Sequence, residues 1–224
     1  ISQEERKLIL EACMQAPSAG NQQMYTIIDV QDKKLQETLS KTCDNQPFIN
    51  QAKMVLIFCA DFQKWYDLFN HENCNPRKPG VGDLLLATTD ATIAAQNAVV
   101  AAESLGIGSC YIGDILEQYD IHKKLLNLSE YVVPVCMLVL GYPAEDHFKR
   151  QKPKRCKLED IICVDQYHRK DKQELKNMFE HKAVNKTLNE WATAFCNRKY
   201  NSDFSKEMTK SVQKYIDQFK SEAD

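Results

Sequence analysis

The chain has 224 residues, a formal net charge of −2, 43% hydrophobic residues and 27% charged ones. This balance gives no reason to expect nucleic acid as a partner, and no run of about 18 apolar residues calls for a membrane span. The length allows a sizeable core in one domain or in two small ones. The nine cysteines are scattered without a CxxC, which disfavours zinc ribbons and thioredoxin-like motifs. Cys59 and Cys136 lie in apolar runs, where a thiol acts as a small hydrophobe. A reducing cytoplasm is expected. The chain begins at Ile1 rather than Met, so a preceding N-terminal piece is expected.

Ser2-Gln3-Glu4-Glu5 has the spacing of a capping box. Leu8, Ile9, Ala12, Cys13 and Ala16 then give one apolar helical stripe, ended by Pro17. Residues 16–23, APSAGNQQ, form a polar loop of small residues. Tyr25–Val30 is expected as a strand and Asp32–Thr42 as an amphipathic helix with Leu35 and Leu39 inward. MVLIFCA (54–60) is a continuous apolar run, the pattern of a buried strand. Residues 61–82, with Pro76, Pro79, Gly80 and Gly82, read as loop. Residues 84–105 contain no Gly or Pro and are rich in Ala and Leu. They predict a central helix with apolar residues on nearly every side, as in a helix buried in a core. Thr88, Thr89, Asp90, Gln96, Asn97 and Glu103 are its polar exceptions, and they argue against lipid. Gly106 ends it as a C-cap would. Ile115–Leu126 is expected to be helical in one or two pieces, and Val132–Leu140 to be a second buried strand.

Beyond Gly141-Tyr142-Pro143 the character changes, since no glycine follows Gly141 and no proline follows Pro153. Leu158–Val164 is expected as a short strand and the remainder as charged helix. Met208, Val212, Tyr215, Ile216 and Phe219 repeat at helical spacing behind a Ser202 or Asp203 cap.

Three stretches invite a chemical reading. GIGSCYIG (106–113) contains GxG, but it follows a helix and has the spacing GxGxxxxG. The dinucleotide fingerprint needs GxGxxG between a strand and a helix. A helix cap and tight turn explain Gly106 well, and Gly108 and Gly113 less well. The APSAGNQQ loop has no nucleophile-and-base pairing, and Ser18 lacks a GxSxG setting. It is either a helix-ending turn or a ligand loop. KRQKPKR (149–155) carries five cations in seven residues, which suits solvated surface or a phosphate grip. The five histidines show no close ligand pair, so no metal is expected. By itself the sequence describes an α+β protein with a possible anionic ligand.

Taken together, ISQEERKLILEACMQAPSAGNQQ, INQAKMVLIFCADF, DATIAAQNAVVAAESLGIGSCYIGDI, VLGYPAED and KPKRCKLEDII resemble the nitroreductase family of flavoproteins. The likeness is nearest to the oxygen-insensitive NADPH nitroreductase and flavin reductase P subgroup. It covers residues 1 to about 167. It implies an α+β three-layer sandwich, with a mixed, mostly antiparallel sheet flanked by helices, in an intertwined homodimer. Residues 1–167 would form the FMN-binding core, and 168–224 a helical extension packing on the core or on the partner subunit. The activity implied is FMN-dependent, NAD(P)H-consuming reduction of nitro compounds, quinones or free flavin by two-electron ping-pong hydride transfer. The alternative is a flavin-binding protein of the same fold, without turnover, for storage or sensing.

The resemblance also assigns residues. Pro17, Ser18 and Ala19 match a loop that lines the flavin from the partner subunit, and Asn21 and Gln23 match its later polar positions. Gln46 matches a glutamine that hydrogen-bonds the flavin ring system. Tyr111, Ile112, Gly113 and Asp114 match the turn whose backbone N–H approaches flavin N5. Arg155 matches an arginine that grips the FMN phosphate, with Lys152 or Lys154 as helpers. No catalytic side chain is expected. Three departures stand out. The family's N-terminal R-S-x-R segment is not in this chain, Met24 replaces a proline or small residue, and Asp114 stands where the subgroup often has glycine.

Overall fold

Ser2 opens the first helix as its spacing from Glu5 predicts. The Glu5 N–H donates to Ser2 Oγ at 3.1 Å, and the Ser2 N–H donates to the Glu5 carboxylate at 2.6 Å. This helix is α1 (Gln3–Met14). In the computed structural model, which describes residues 1–220, it is followed by β1 (Tyr25–Asp29), α2 (Lys33–Thr42), α3 (Pro47–Gln51) and β2 (Met54–Asp61). Then come α4 (Gln63–His71), α5 (Val81–Ser104), β3 (Gly108–Ile112), α6 (Tyr119–Leu125) and β4 (Val132–Gly141). The later helices are α7 (Leu158–Ile161), α8 (Lys172–Phe179), α9 (Leu188–Lys199) and α10 (Asp203–Asp217). Contacts divide the chain into two compact units: Ile1–Pro143 with the chain from Glu207 on, and Ala144–Lys206.

In the first unit the strands lie in the order β1-β2-β4-β3, and each of the three pairings is antiparallel. Every residue of β2 is buried. Its side chains alternate between faces, as a pleated strand requires. Met54, Leu56 and Phe58 join Ile9 and Cys13 of α1 and the alanines of α5. Val55, Ile57 and Cys59 join Leu39 and Cys43 from α2 and its end, and Ile49 of α3. Helices therefore cover both faces of the sheet, and the expected three-layer α+β sandwich is present. A third apolar cluster, with Met24, Tyr131, Tyr215 and Phe219, closes one end.

The inward side of α5 is built from Ala87, Ala91, Ala94, Ala95, Ala98 and Ala102. Such small side chains let a helix axis approach a sheet closely. By length and composition alone α5 could cross a membrane, but here its alanine face belongs to the core. The expectation of burial all round is corrected within the single chain: Leu85, Leu86 and Val100 are 63%, 51% and 59% exposed. The helix also starts earlier than the apolar pattern, at Val81, because the Asp83 carboxylate accepts from the Gly80 N–H at 2.7 Å. Gly106 has φ of +72° and follows the helix end, as expected of a C-capping glycine.

Other expectations are corrected. Leu8 of α1 is 47% exposed and leaves the inward face to Ile9 and Cys13. The stretch read as loop at 61–82 contains α4, whose Trp65 and Phe69 rings lie 5.6 Å apart. Residues 108–112, read as a tight turn, form the edge strand β3, paired with β4. A Cβ on Gly108 would lie 3.4 Å from the Gly141 carbonyl, an ordinary contact, so Gly108 belongs to the strand and not to a turn. Leu158–Val164 is not a strand but opens with the single turn α7, where the Lys157 N–H donates to Asp160 at 2.9 Å.

The second unit is helical. Trp191 stacks between Phe179 and Phe195, with ring centroids 6.4 Å and 5.2 Å away. Asp171 and Thr187 cap α8 and α9.

Candidate functional site

The APSAGNQQ loop is held by one carboxylate. Asp90, 3% exposed on α5, accepts from the Ser18 hydroxyl at 2.5 Å, from the Ala19 N–H at 3.3 Å and from the Met24 N–H at 3.2 Å. Ser18 Oγ in turn accepts from the Gln23 N–H at 2.7 Å. These bonds matter because the loop backbone is left-handed at Gly20, Asn21 and Gln23, with φ of 57°, 56° and 49°. Glycine and asparagine tolerate that region, whereas glutamine adopts it at a cost. Asp90 and Ser18 together offset that cost. Pro17, Ala19 and Asn21 stay exposed and Ser18 and Gln23 half-buried. Gln23 Nε2 donates to Asn21 Oδ1 at 3.2 Å. Met24 is fully buried in the core, which accounts for its large side chain.

A second group forms around Gln46. Left-handed turns at Asp44 and Asn45 bring the chain out of α2, and the Gln46 N–H donates back to the Ser40 carbonyl at 2.8 Å. Gln46 Nε2 donates to the Cys43 carbonyl at 2.9 Å and to Asp114 Oδ2 at 3.1 Å. Both partners accept, so the amide NH2 must face them, and Oε1 is left to accept from elsewhere. Asp114 follows β3 directly. Ile112 is buried in the core, while Tyr111 and Gly113 are exposed. The Tyr111 hydroxyl donates to Gln96 Oε1 of α5 at 3.4 Å. Burial pushes the Tyr111 phenol up to about 12. Gly113 has an ordinary φ of −79°, and a Cβ there would meet nothing within 4 Å. The fold does not demand glycine at 113, and the space above its backbone is open.

Beneath Asp114 lies a layer of polar side chains that sequence reasoning passed over. His122 is fully buried on α6, with Nδ1 3.0 Å from the Ile115 carbonyl and Nε2 2.8 Å from Thr42 Oγ1. A carbonyl only accepts, so Nδ1 carries the proton. Burial lowers the His122 pKa and favours the neutral ring. Glu117 is 5% exposed, and its Oε1 has no partner among the described residues. Burial first, then the charges of Asp114 and Glu207, raise its carboxyl to about 7.

The expected residues thus fall into three groups. Pro17, Ser18, Ala19, Asn21 and Gln23 gather on Asp90, and Gln46, Tyr111, Ile112, Gly113 and Asp114 gather at the end of β3. Among the described residues no hydrogen bond or ion pair joins these two groups. Lys152, Lys154 and Arg155 belong to the other unit, exposed on a segment without helix or strand. No partner holds the Arg155 guanidinium among the described residues. The sequence signal for Asp90 was available, as a carboxylate on the alanine face of an apolar helix. Glu117 had none, since its isolation comes from elements far apart in the chain.

Comparisons with known proteins identify the family. The model of the nitroreductase family matches residues 1–142. The NAD(P)H-type FMN reductase of Bacillus subtilis is 39% identical over 158 residues, which is 68% of this chain and 62% of that protein. The chain therefore spans less than two thirds of that relative's length. The oxygen-insensitive NADPH nitroreductase of Salmonella typhimurium is 32% identical over 184 residues, 82% of this chain and 73% of that protein. Among solved structures, an oxidoreductase from Bacteroides fragilis superposes with a TM-score of 0.87 at 25% identity, covering 99% of this chain and 93% of that one.

Proposed function

The chain belongs to the nitroreductase family, and from that premise we propose that it is an FMN-dependent oxidoreductase. It takes hydride from NAD(P)H and passes two electrons to a nitro compound, a quinone or free flavin. The observation that carries the reading is the Gln46–Asp114–Gly113 corner. Among the described residues nothing donates to the Gln46 amide oxygen there, and Gly113 presents open backbone that the fold itself does not require. Such a corner fits the polar edge of a flat heteroaromatic ring. The two named relatives, an FMN reductase and an NADPH nitroreductase, support the same chemistry.

When bound, FMN supplies the hydride chemistry, and the protein supplies binding, orientation and electrostatics. Gln46 Oε1 would accept from the ring edge, and the 111–114 backbone would offer N–H groups near the reacting face. Tyr111 would exclude water. Arg155, with Lys152 or Lys154, would hold the phosphate through charge-assisted hydrogen bonds. Asp114 brings a carboxylate to this corner, which disfavours anionic acceptors. No side chain of this chain is assigned as acid or base.

The 17–23 loop and the Gln46 corner are unconnected within one chain, which supports a homodimer in which each flavin is held by both subunits. The outer face of α5 suits such an interface. Leu85, Leu86, Thr89, Thr92, Gln96 and Val100 are exposed along it, and Glu103, near the helix end, is the one exposed charged residue of α5. Depletion of charge is what the centre of a subunit interface shows. Residues 168–224 would pack on the core or the partner. A cytoplasmic location fits nine free cysteines. Anaerobic addition of NADPH or NADH to the purified, FMN-loaded protein should bleach the flavin, and a nitroaromatic or quinone should restore its colour. A bound flavin that neither nucleotide bleaches would instead favour storage or sensing.

A further inference from the structure

Three carboxylates meet beneath the Gln46 corner, and among the described residues no ion pair balances them, although Lys210 lines the same pocket as Glu207. Glu117 follows the helical turn 114–116, Asp114 opens the same turn, and Glu207 reaches in from α10. Asp44, from the turn after α2, adds a fourth negative charge to Glu117's surroundings. His122 of α6 faces the same layer, but it is neutral and both ring nitrogens are committed. Glu207 is well supplied with donors. It accepts from the Gln118 N–H at 3.1 Å and from the Ser211 hydroxyl at 2.6 Å. Asp114 has Gln46. Glu117 alone is buried with an oxygen that nothing donates to. Two ionised carboxylates in contact repel, whereas a carboxylic acid beside a carboxylate can donate to it. A proton on Glu117, donated toward Asp114, would relieve that repulsion.

We propose that Glu117 is a positioning residue: a proton shared with Asp114 keeps that carboxylate turned to Gln46, and flavin affinity falls when the proton is lost. The inference rests on the FMN reading of the corner. The chain of effects is short. The protonated Glu117 satisfies Asp114 from below, Asp114 fixes the Gln46 NH2, and the fixed amide presents Oε1 outward. Raising the pH ionises Glu117, sets two charges against each other and loosens that amide. The transition falls near neutrality, because burial and the surrounding carboxylates hold the Glu117 carboxyl at about 7 instead of 4.5.

The experiment is an FMN titration of the full chain, followed by flavin fluorescence quenching at about pH 6 and about pH 8.5, for wild type and Glu117→Gln. Wild-type affinity should weaken roughly three- to tenfold across that interval, because the loosened Gln46 amide gives up about one neutral hydrogen bond to the ring edge. Glu117→Gln, uncharged throughout, should change less than about twofold. A flat wild-type profile, or a variant that follows the wild-type slope, overturns the proposal. Should the variant not fold, infrared titration of the wild type decides. A buried protonated carboxyl band fading with a midpoint near about pH 7 supports the proposal, and its absence at about pH 6 overturns it. If FMN binds at neither pH, the cofactor reading has failed, and the infrared band still reports whether Glu117 holds a proton.

Discussion

Asp90 and Asp114 make an instructive pair. Each is an aspartate that organises one group of candidate flavin contacts, but their surroundings are opposite. Asp90 is 3% exposed and takes one hydroxyl and two backbone donors, all from the loop it holds. Asp114 takes one amide donor and has a buried glutamate behind it. The first is an anchor, with its charge spread over donors that do not titrate near neutrality. The second sits in a crowd of like charge, where one proton decides the geometry. The two halves of the proposed site should therefore fail differently, the loop half through folding and the Gln46 half through pH.

The largest effect is expected at the anchor. Asp90→Ala removes the acceptor for Ser18, Ala19 and Met24 and leaves the buried Met24 N–H and the half-buried Ser18 hydroxyl without it. A loss of roughly 2–4 kcal/mol is expected in urea unfolding. A loss below about 0.5 kcal/mol would mean that water replaces the carboxylate, and the contrast with Asp114 would collapse. Next comes Arg155→Ala, which should weaken FMN binding about ten- to a hundredfold, the worth of one charge-assisted hydrogen bond. Saturating FMN should recover most of the turnover. Equal dissociation constants would pass the role to Lys152 or Lys154.

The stability effect of Glu117 differs in kind, because it varies with pH. Its pKa is raised in the folded state, so the fold binds more protons than the unfolded chain between 4.5 and about 7. Stability from this group is full below 4.5 and declines as pH rises through about 7. Thermal unfolding of Glu117→Gln across that window should lack the decline, and parallel wild-type and variant curves would contradict it. The smallest effect is expected for Arg77→Ala. Arg77 pairs with Asp83 at 2.6 Å, but its side chain is 74% exposed. Under about 1 kcal/mol is expected for such a pair, which a denaturant titration can bound.

The sequence was legible where one physical rule dominates. The Ser2–Glu5 box, the continuous burial of β2 and the Ala-rich α5 ended by Gly106 each rest on local chemistry, and each is present. It was misleading where a strong local signal spread beyond its reach. The prolines and glycines of 76–82 hid α4, which lies before them. Gly108 and Gly113 disguised β3, whose strand character comes from pairing with β4 and is invisible in five residues. Apolar residues at 158–164 suggested a strand, but Leu158, Ile161 and Val164 are exposed and no sheet edge claims them. The site divides the same way. Ser18, Gln46 and Asp114 could be named from a family pattern. The partners that hold them, Asp90 and Glu117, needed coordinates, because each acts across tens of residues of chain.

We propose that each FMN is held by a pair of chains, with the loop half and the Gln46 half of each site contributed by different subunits. Sedimentation velocity followed through the visible absorbance of the bound flavin tests cofactor and assembly together. The expected result is a yellow boundary carrying about one FMN per chain and moving with the mass of two chains. Colour travelling with a stable single chain would contradict the shared site. A boundary that stays colourless after FMN has been added and the excess removed would contradict the cofactor itself.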